Sequence, residues 1–177
     1  MKQLFIRIFI LMIIGTCYSQ NKTVDSSNYS DIIKEQAETM SQFLLKKNFK
    51  SFTQFTYPKL VEMMGGEQKM IETLEKASTQ MEADGTAYLN VTIGEPSRVL
   101  SFQNEMQCII PQTLEIKVPN GRVLTKSSLI AISIDNGKSW YFVDTSGKDI
   151  QTMKKVLPNL SEELIIPVKK KPTFYND

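Results

Sequence analysis

The side chains that could carry acid–base chemistry in this sequence are carboxylates and tyrosines, because the chain contains no histidine. A carboxylate in an apolar pocket, with a tyrosine hydroxyl beside it, can take up and return a proton near neutral pH. The candidates for such a pair are Asp144, Glu105, Tyr88 and Tyr141. No spacing in the sequence brings two of them together, so the sequence assigns no catalytic residue.

The local context of the two carboxylates favours ordinary roles in turns. Asp144 ends a strand-like stretch before Thr145-Ser146-Gly147, a setting typical of an aspartate that accepts backbone hydrogen bonds. Glu105 follows Gln103-Asn104, and this polar triplet predicts a turn that faces solvent.

Other groups that could carry out chemistry also have simpler interpretations. Cys108 lies in an apolar stretch without a basic neighbour, which predicts a buried thiol rather than a reactive one. The aromatic series from Phe49 to Tyr57 and the single tryptophan, Trp140, predict core packing. Lys169–Lys171 predict a solvated tail. The motifs for phosphate loops, dinucleotides and calcium loops are absent, so we expect neither a cofactor nor a metal site.

Residues 1–19 have the composition of a secretory signal peptide. Lys2 and Arg7 supply positive charge, and residues 8–14 form an unbroken apolar run. A helix that spans a bilayer needs about 20 apolar residues, so this run predicts no stable membrane span. We therefore expect an exported protein, either periplasmic or secreted.

The end of this segment predicts a cleavage site. Cys17 and Ser19 are small residues on either side of Tyr18, a pattern that signal peptidase accepts, which predicts cleavage between Ser19 and Gln20. The alternative is a lipoprotein anchored through Cys17. Thr16 stands where a small residue usually precedes a lipidated cysteine.

The charge balance argues against nucleic acid as a partner. The whole chain of 177 residues has a formal charge of +2. Residues 1–19 carry two basic and no acidic side chains, so their removal leaves 19 basic and 19 acidic side chains. A neutral protein lacks the broadly basic surface that phosphate backbones require.

The pattern of the remaining chain predicts helices followed by strands. Apolar residues at helical spacing predict helices over 31–48, 58–64 and 67–83, and a shorter one over 148–157. Between residues 86 and 144 the apolar residues recur with a period of two, which predicts antiparallel strands. Asn120-Gly121 and Asn136-Gly137 are hairpin signals, and Leu129–Ile134 is apolar on both faces, as in a central strand. Along the first strand, Leu89 is expected on the apolar face with Val91, and Tyr88 on the other.

This order resembles the NTF2-like, or cystatin-like, cone fold. The likeness rests on the amphipathic helix around residues 40–49 and on the closing strand Gly137-Lys138-Ser139-Trp140-Tyr141-Phe142. It implies an α+β fold with N-terminal helices packed on a curved, mostly antiparallel sheet of four to five strands, a short C-terminal helix and a tail. The expected divisions are a signal peptide (1–19), a flexible leader (20–29), one α+β domain (30–167) and a basic tail (168–177). The signal and its junction are similar to those of small exported Bacteroidota proteins.

The sequence is compatible with three functions. The first is a non-catalytic exported protein that binds a small apolar ligand or an envelope protein. The second is an isomerase or dehydratase of the cone-fold kind, which needs a buried carboxylate in the cavity. The third is a structural module that forms a homodimer through the sheet, which an exposed apolar row on the sheet would support.

Overall fold

A computed structural model describes residues 29–176. The four N-terminal helices are α1 (Ser30–Leu45), α2 (Phe49–Thr53), α3 (Pro58–Met63) and α4 (Glu67–Ala83). The later elements are β1 (Ala87–Ile93), β2 (Leu100–Phe102), β3 (Glu105–Val118), β4 (Gly121–Ser133), β5 (Tyr141–Asp144), α5 (Ile150–Val156) and β6 (Thr173–Tyr175). This α+β order confirms the predicted fold class. The finer expectation of a cone stays a prediction.

The described strands form one open sheet in the order β1-β3-β4-β5, and every strand pair is antiparallel. β2 pairs with β3 beyond the end of β1, and β6 pairs with β4 beyond the end of β5. The prediction of four to five strands was therefore too low, because β6 comes from the segment that was read as a free tail.

Both hairpin signals lie in connections between antiparallel strands, as predicted. Asn120 stands at the tip between β3 and β4, where Val118 pairs with Gly121. Asn136 and Gly137 lie between β4 and β5, and both have positive φ angles of 61° and 85°. Asparagine and glycine tolerate this left-handed backbone, which explains their use at these two turns.

Each face of the sheet is covered at least in part, so the protein has two cores. On the first face, here named the α1 face, Ile33, Ala37 and Met40 of α1 pack against Cys108 and Trp140. On the second, the α5 face, α5 and the residues after it cover β3, β4 and β5. Leu129 and Ala131 of β4 contribute to the first core, and Ile130 and Ile132 to the second, which confirms β4 as a central strand.

The chain between α2 and α3 protects the outer edge of β5. The backbone N–H of Phe142 donates to the carbonyl of Phe55 at 2.7 Å, and Thr56 forms a parallel bridge with Phe142. An uncovered edge strand would be a template for aggregation, so this pairing closes one side of the sheet.

Several predicted boundaries were wrong. The first helix ends at Leu45 rather than 48, because a left-handed Lys47 (φ 55°) separates it from α2. α2 itself, over Phe49–Thr53, was read as a plain aromatic segment. β5 has four residues and is shorter than the long strand that its sequence predicted.

A bulge at Leu89 reverses the expected faces at the start of β1. Tyr88 pairs with Ile116 and Asn90 pairs with Glu115, so Leu89 has no partner. The extra residue turns Tyr88 onto the same face as Val91 and leaves Leu89 48% exposed. Leu89 was therefore wrongly predicted on the apolar face, since strict alternation holds only where no residue is inserted.

Candidate functional site

A cavity lies between the α1 face of the sheet and the four N-terminal helices. Its volume is about 440 Å³, here named the helix-side cavity. This is within the usual range for small-molecule sites, roughly 300–1,000 Å³. Apolar side chains from both layers form most of its wall: Met40, Leu44, Phe52, Leu60, Met64, Met70, Leu74, Val91, Leu114, Leu129 and Phe142.

Helix α4 covers this cavity incompletely. Of its 17 residues only Met70 is buried, and Ile71, Leu74 and Met81 on the same side are half-buried. Gly65 and Gly66 join α3 to α4, and both have a φ of 94°, which glycine adopts without strain. The helix therefore leaves apolar side chains available to a molecule inside the cavity.

One end of the cavity is polar because three strands place side chains there in register. Gln112 of β3 pairs with Ser127 of β4, and Asp144 ends β5 beside Leu129. The Gln112 amide donates to Asp144 Oδ2 at 2.5 Å and to Ser127 Oγ at 2.9 Å. Gln112 is 6% exposed and Asp144 is exposed, so the carboxylate lies where the cavity meets solvent.

Asp144 also holds the turn that follows it, as its sequence context predicted. The backbone N–H of Ser146 donates to Asp144 Oδ1. Among the described residues, no lysine or arginine forms an ion pair with Asp144. Its charge is therefore compensated by hydrogen bonds alone and stays available to a ligand.

Tyr88 reaches the same cavity because of the bulge at Leu89. Burial raises the pKa of the Tyr88 phenol, and the nearby negative charge of Asp144 raises it further. Both effects favour the neutral phenol, which can donate a hydrogen bond at neutral pH. The structure thus brings together Asp144 and Tyr88, two of the four candidates.

The prediction for Glu105 was wrong, because this residue is buried on the α5 face. Gln103 and Asn104 form a tight hairpin with φ angles of 48° and 63°, so Phe102 pairs with Glu105 as the first residue of β3. Glu105 is 6% exposed. Its Oε1 accepts a 2.6 Å hydrogen bond from the Tyr57 hydroxyl, and its Oε2 accepts one of 2.9 Å from Gln107.

We name Tyr57, Glu105 and Gln107 the Glu105 network. It reaches solvent on the side of Lys59. Lys59 lies 3.6 Å from Glu105 Oε1, and a second cavity of about 260 Å³ lies beside both. Gln107 is fully buried and also donates to the carbonyl of Asn159, while the N–H of Ser161 donates to Gln107. Burial and the Glu105 hydrogen bond raise the pKa of Tyr57 well above its usual value. Every oxygen of the carboxylate has a partner, so this network stabilises the packing of residues 159–161 on the sheet.

The other candidates lie away from the helix-side cavity or outside the described residues. Cys108 is fully buried in the first core, as predicted, and burial raises its pKa to about 12. Tyr141 is half-buried on the α5 face. Cys17, Ser19 and Gln20 lie outside the described residues.

The prediction of core packing holds for Phe49, Tyr57 and Trp140, whereas Phe52 is half-buried and lines the helix-side cavity. Phe49 is 7% exposed, Tyr57 is 2% exposed and Trp140 is 1% exposed. The indole N–H of Trp140 donates to the carbonyl of Gly137 at 3.1 Å. These rings are therefore structural, apart from the hydroxyl of Tyr57.

Sequence reasoning missed Gln112 and Tyr57. Gln112 follows Pro111 and looks like an interruption of an apolar run. Its strand register, which places it opposite Ser127, is the signal that identifies it. Tyr57 precedes Pro58 at the start of α3, and its partner is 48 residues away in the chain. No local pattern reports such a contact.

Within residues 29–176, no group of three acidic or cysteine side chains is placed to hold a metal ion. None of the helices in that range is both long enough and apolar enough to cross a bilayer.

The uncovered half of the α5 face carries polar residues such as Thr113, Lys117 and Lys126, so it gives no support to a dimer through the sheet.

In comparisons with known proteins, no family model, no curated protein and no solved structure matches this chain. The function must therefore be argued from the helix-side cavity and the groups around it.

Proposed function

We propose that this protein is exported and binds a small, mainly apolar molecule in the helix-side cavity, with the polar end of the ligand at Asp144. The observation that carries the proposal is a cavity of about 440 Å³ whose wall is mostly apolar and carries Asp144, Gln112 and Tyr88 at one end. Apolar walls supply affinity, and a few placed polar groups fix the orientation of the ligand. An NTF2-like cone, with this cavity as its interior, is the fold that we propose alongside it.

The charge of Asp144 suggests which polar end the ligand has. Asp144 has no ion pair among the described residues, while the hydroxyl of Tyr88 can donate or accept a hydrogen bond. A ligand with an amine or another hydrogen-bond donor at its end suits this site better than a carboxylate, which Asp144 would repel.

The first experiment measures binding of N-phenyl-1-naphthylamine, an apolar dye whose fluorescence rises in a dry environment. We expect saturable binding to the chain that begins at Gln20. Leu74→Trp fills the cavity from α4 and should abolish the signal. Thr79→Trp places the same side chain on the exposed side of α4 and should bind like the wild type. Equal binding by both variants would contradict the site.

The second experiment tests the polar end by competition. Decylamine should displace the dye at a concentration several-fold lower than decanoate, because Asp144 attracts the ammonium group. Asp144→Asn should remove this preference and leave dye binding intact. A preference that persists in Asp144→Asn would show that another group selects the ligand.

A second candidate function is an isomerase or dehydratase, and one observation favours it. Asp144 and Tyr88 line the same cavity, and a carboxylate beside a neutral phenol can shuttle a proton. The test is turnover of an apolar β,γ-unsaturated ketone, followed by the absorbance of the conjugated product. Turnover that is lost in Asp144→Asn would replace the binding function with this one.

A further inference from the structure

A third cavity, of about 250 Å³, lies on the opposite face of the sheet, between the strands and the C-terminal segment. Its floor is the α5 face, where Pro111 pairs with Ser128 and Thr113 pairs with Lys126. Residues 167–170 form its outer wall. We name it the tail cavity. It shares no apolar wall with the helix-side cavity, so the two sites can be tested separately.

Two hydroxyl groups in this cavity have hydrogen-bonding capacity that no described residue uses. Ser128 is 4% exposed and lines the cavity, yet none of the described hydrogen bonds involves its hydroxyl. Thr145 is fully buried, and its Oγ1 accepts a 3.3 Å hydrogen bond from the N–H of Gly147, so its hydroxyl proton remains free to donate. Both hydroxyls can therefore donate a hydrogen bond to an acceptor inside the cavity.

Three lysines line the same cavity. Lys126 comes from β4, and Lys169 and Lys170 come from the tail. None of the three forms an ion pair among the described residues. Asp144, which precedes Thr145 in the chain, is directed to the other face, where it accepts a hydrogen bond from Gln112. All three lysines are exposed and, within residues 29–176, unpaired, so their ammonium groups are available to an anion in the cavity.

The backbone brings the tail close enough for this arrangement. Gly147 has a φ of 73°, and a Cβ atom there would lie 2.4 Å from Cδ of Lys169. The stem of Lys169 therefore lies directly on Gly147, beside Thr145. β6 anchors the far end of the tail to β4, so the exposed residues Lys169 and Lys170 lie along the wall of the cavity. The side chains of Lys169, Lys170 and Lys171 are exposed, in agreement with the predicted solvated tail.

We propose that the tail cavity binds a phosphate or sulfate group, with Ser128 and Thr145 as hydroxyl donors and Lys126, Lys169 and Lys170 as cationic partners. A tetrahedral oxyanion offers at least three acceptor oxygens, which matches two inner hydroxyls and several ammonium groups better than a planar carboxylate does. The anion lies on the face opposite the proposed apolar ligand, and its binding does not depend on that ligand.

The test is calorimetric titration of the chain from Gln20 with inorganic phosphate at low ionic strength. Lys126→Gln should weaken binding by about tenfold, because it removes a charge-assisted contact. Ser128→Ala should weaken it by about fivefold. Lys76→Gln removes an exposed, unpaired charge on α4 and should change it by less than about twofold. Circular dichroism checks that each variant is folded.

Further arms identify the source of the anion and separate the two proposals. Binding of glucose 6-phosphate as tightly as inorganic phosphate indicates a soluble phosphorylated ligand, and tighter binding to phosphatidylglycerol vesicles than to inorganic phosphate indicates a lipid headgroup. The naphthylamine dye should bind Lys126→Gln and Ser128→Ala like the wild type, so failure of one site leaves the other testable. Equal weakening by Lys126→Gln and Lys76→Gln, or no binding of phosphate and sulfate, would overturn the proposal.

Discussion

The hydroxyl of Tyr57 and the carboxylate of Glu105 form a 2.6 Å hydrogen bond between the start of α3 and the first residue of β3. Tyr57 is 2% exposed and Glu105 is 6% exposed, so the pair is shielded from water. Because hydrogen bonds to a charged acceptor are strong when they are buried, this contact ties the helical layer to the α5 face of the sheet.

Tyr57→Phe should lower the free energy of unfolding by about 1–3 kcal/mol, because Glu105 Oε1 loses its buried donor. Urea denaturation followed by circular dichroism measures the change. Tyr141→Phe is the matched control, since Tyr141 is half-buried nearby and none of the described hydrogen bonds involves its hydroxyl. Equal losses in the two variants would show that the hydrogen bond contributes nothing.

The Glu105 network shows why the sequence predicts some parts of this protein and not others. Helix α1 and the two asparagine–glycine hairpins follow from local spacing and turn chemistry, which act over a few residues. Gln103 and Asn104, by contrast, are neither glycine nor the usual turn pair, yet both take left-handed angles. That tight turn moves Glu105 from solvent into a strand, and only its partner, 48 residues away, accounts for its burial.

The helix-side cavity could likewise be predicted only in part, because local patterns predict its helices but not the contacts between its strands. Apolar periodicity predicts the helices that line it. The bulge at Leu89, which turns Tyr88 inward, depends on how β1 meets β3. A period of two assigns side chains to faces correctly only while each residue has a partner, so one inserted residue reverses the assignment.

The buried thiol of Cys108 gives the protein an alkaline limit to its stability. Its pKa is raised to about 12 by burial, from an ordinary value of 9.0. A group with a raised pKa in the folded state contributes stability that is complete below the unfolded value and is lost as the pH rises toward the folded one. The free energy of unfolding should therefore fall above pH 9, by at most about 1.4 kcal/mol per pH unit from this thiol.

Cys108→Ala should flatten this decline, and urea denaturation at several pH values from neutral to alkaline measures the slope. The variant also loses packing, so Ile110→Val on the same strand serves as a control for that loss. Ile110 is fully buried and does not titrate, so its variant should keep the wild-type slope. If Cys108→Ala declined as steeply as the wild type, another group would set the alkaline limit.

The docking of β6 depends on the absence of a side chain at Gly121. Its φ is 132°, and a Cβ atom there would lie 2.1 Å from the carbonyl oxygen of Tyr175. Gly121→Ala should release β6 and raise the hydrogen-exchange rates of the backbone amides in residues 173–175. Gly66→Ala is the matched control, since its φ is also positive but nothing lies within 4 Å of the added atom. Similar exchange rates for β6 in both variants would contradict this role.

The predicted signal peptide can be checked by the intact mass of the exported protein. We expect a chain that begins at Gln20, with or without cyclisation of that residue, because the Cys17-Tyr18-Ser19 pattern suits signal peptidase. Cys17→Ser should give the same mature mass. A mature protein that keeps Cys17 with added acyl chains would instead establish the lipoprotein alternative.

The pKa of Tyr88 reports directly on the polar end of the helix-side cavity. Burial is the larger cause of its increase and the charge of Asp144 is the smaller one. Asp144→Asn should therefore lower the pKa of Tyr88 while leaving it above the ordinary value of 10.0, because burial remains. Carbon NMR of the tyrosine rings follows the titration, and Tyr88→Phe assigns the signal.

Asp31→Asn removes one negative charge from the exposed first turn of α1 and should leave the titration of Tyr88 unchanged. An unchanged pKa in Asp144→Asn would place the two groups too far apart to interact, and a single ligand end could not then meet both. A decrease in Asp144→Asn alone would establish that the carboxylate and the phenol share one environment. Both the binding function and the proton-transfer alternative require that shared environment.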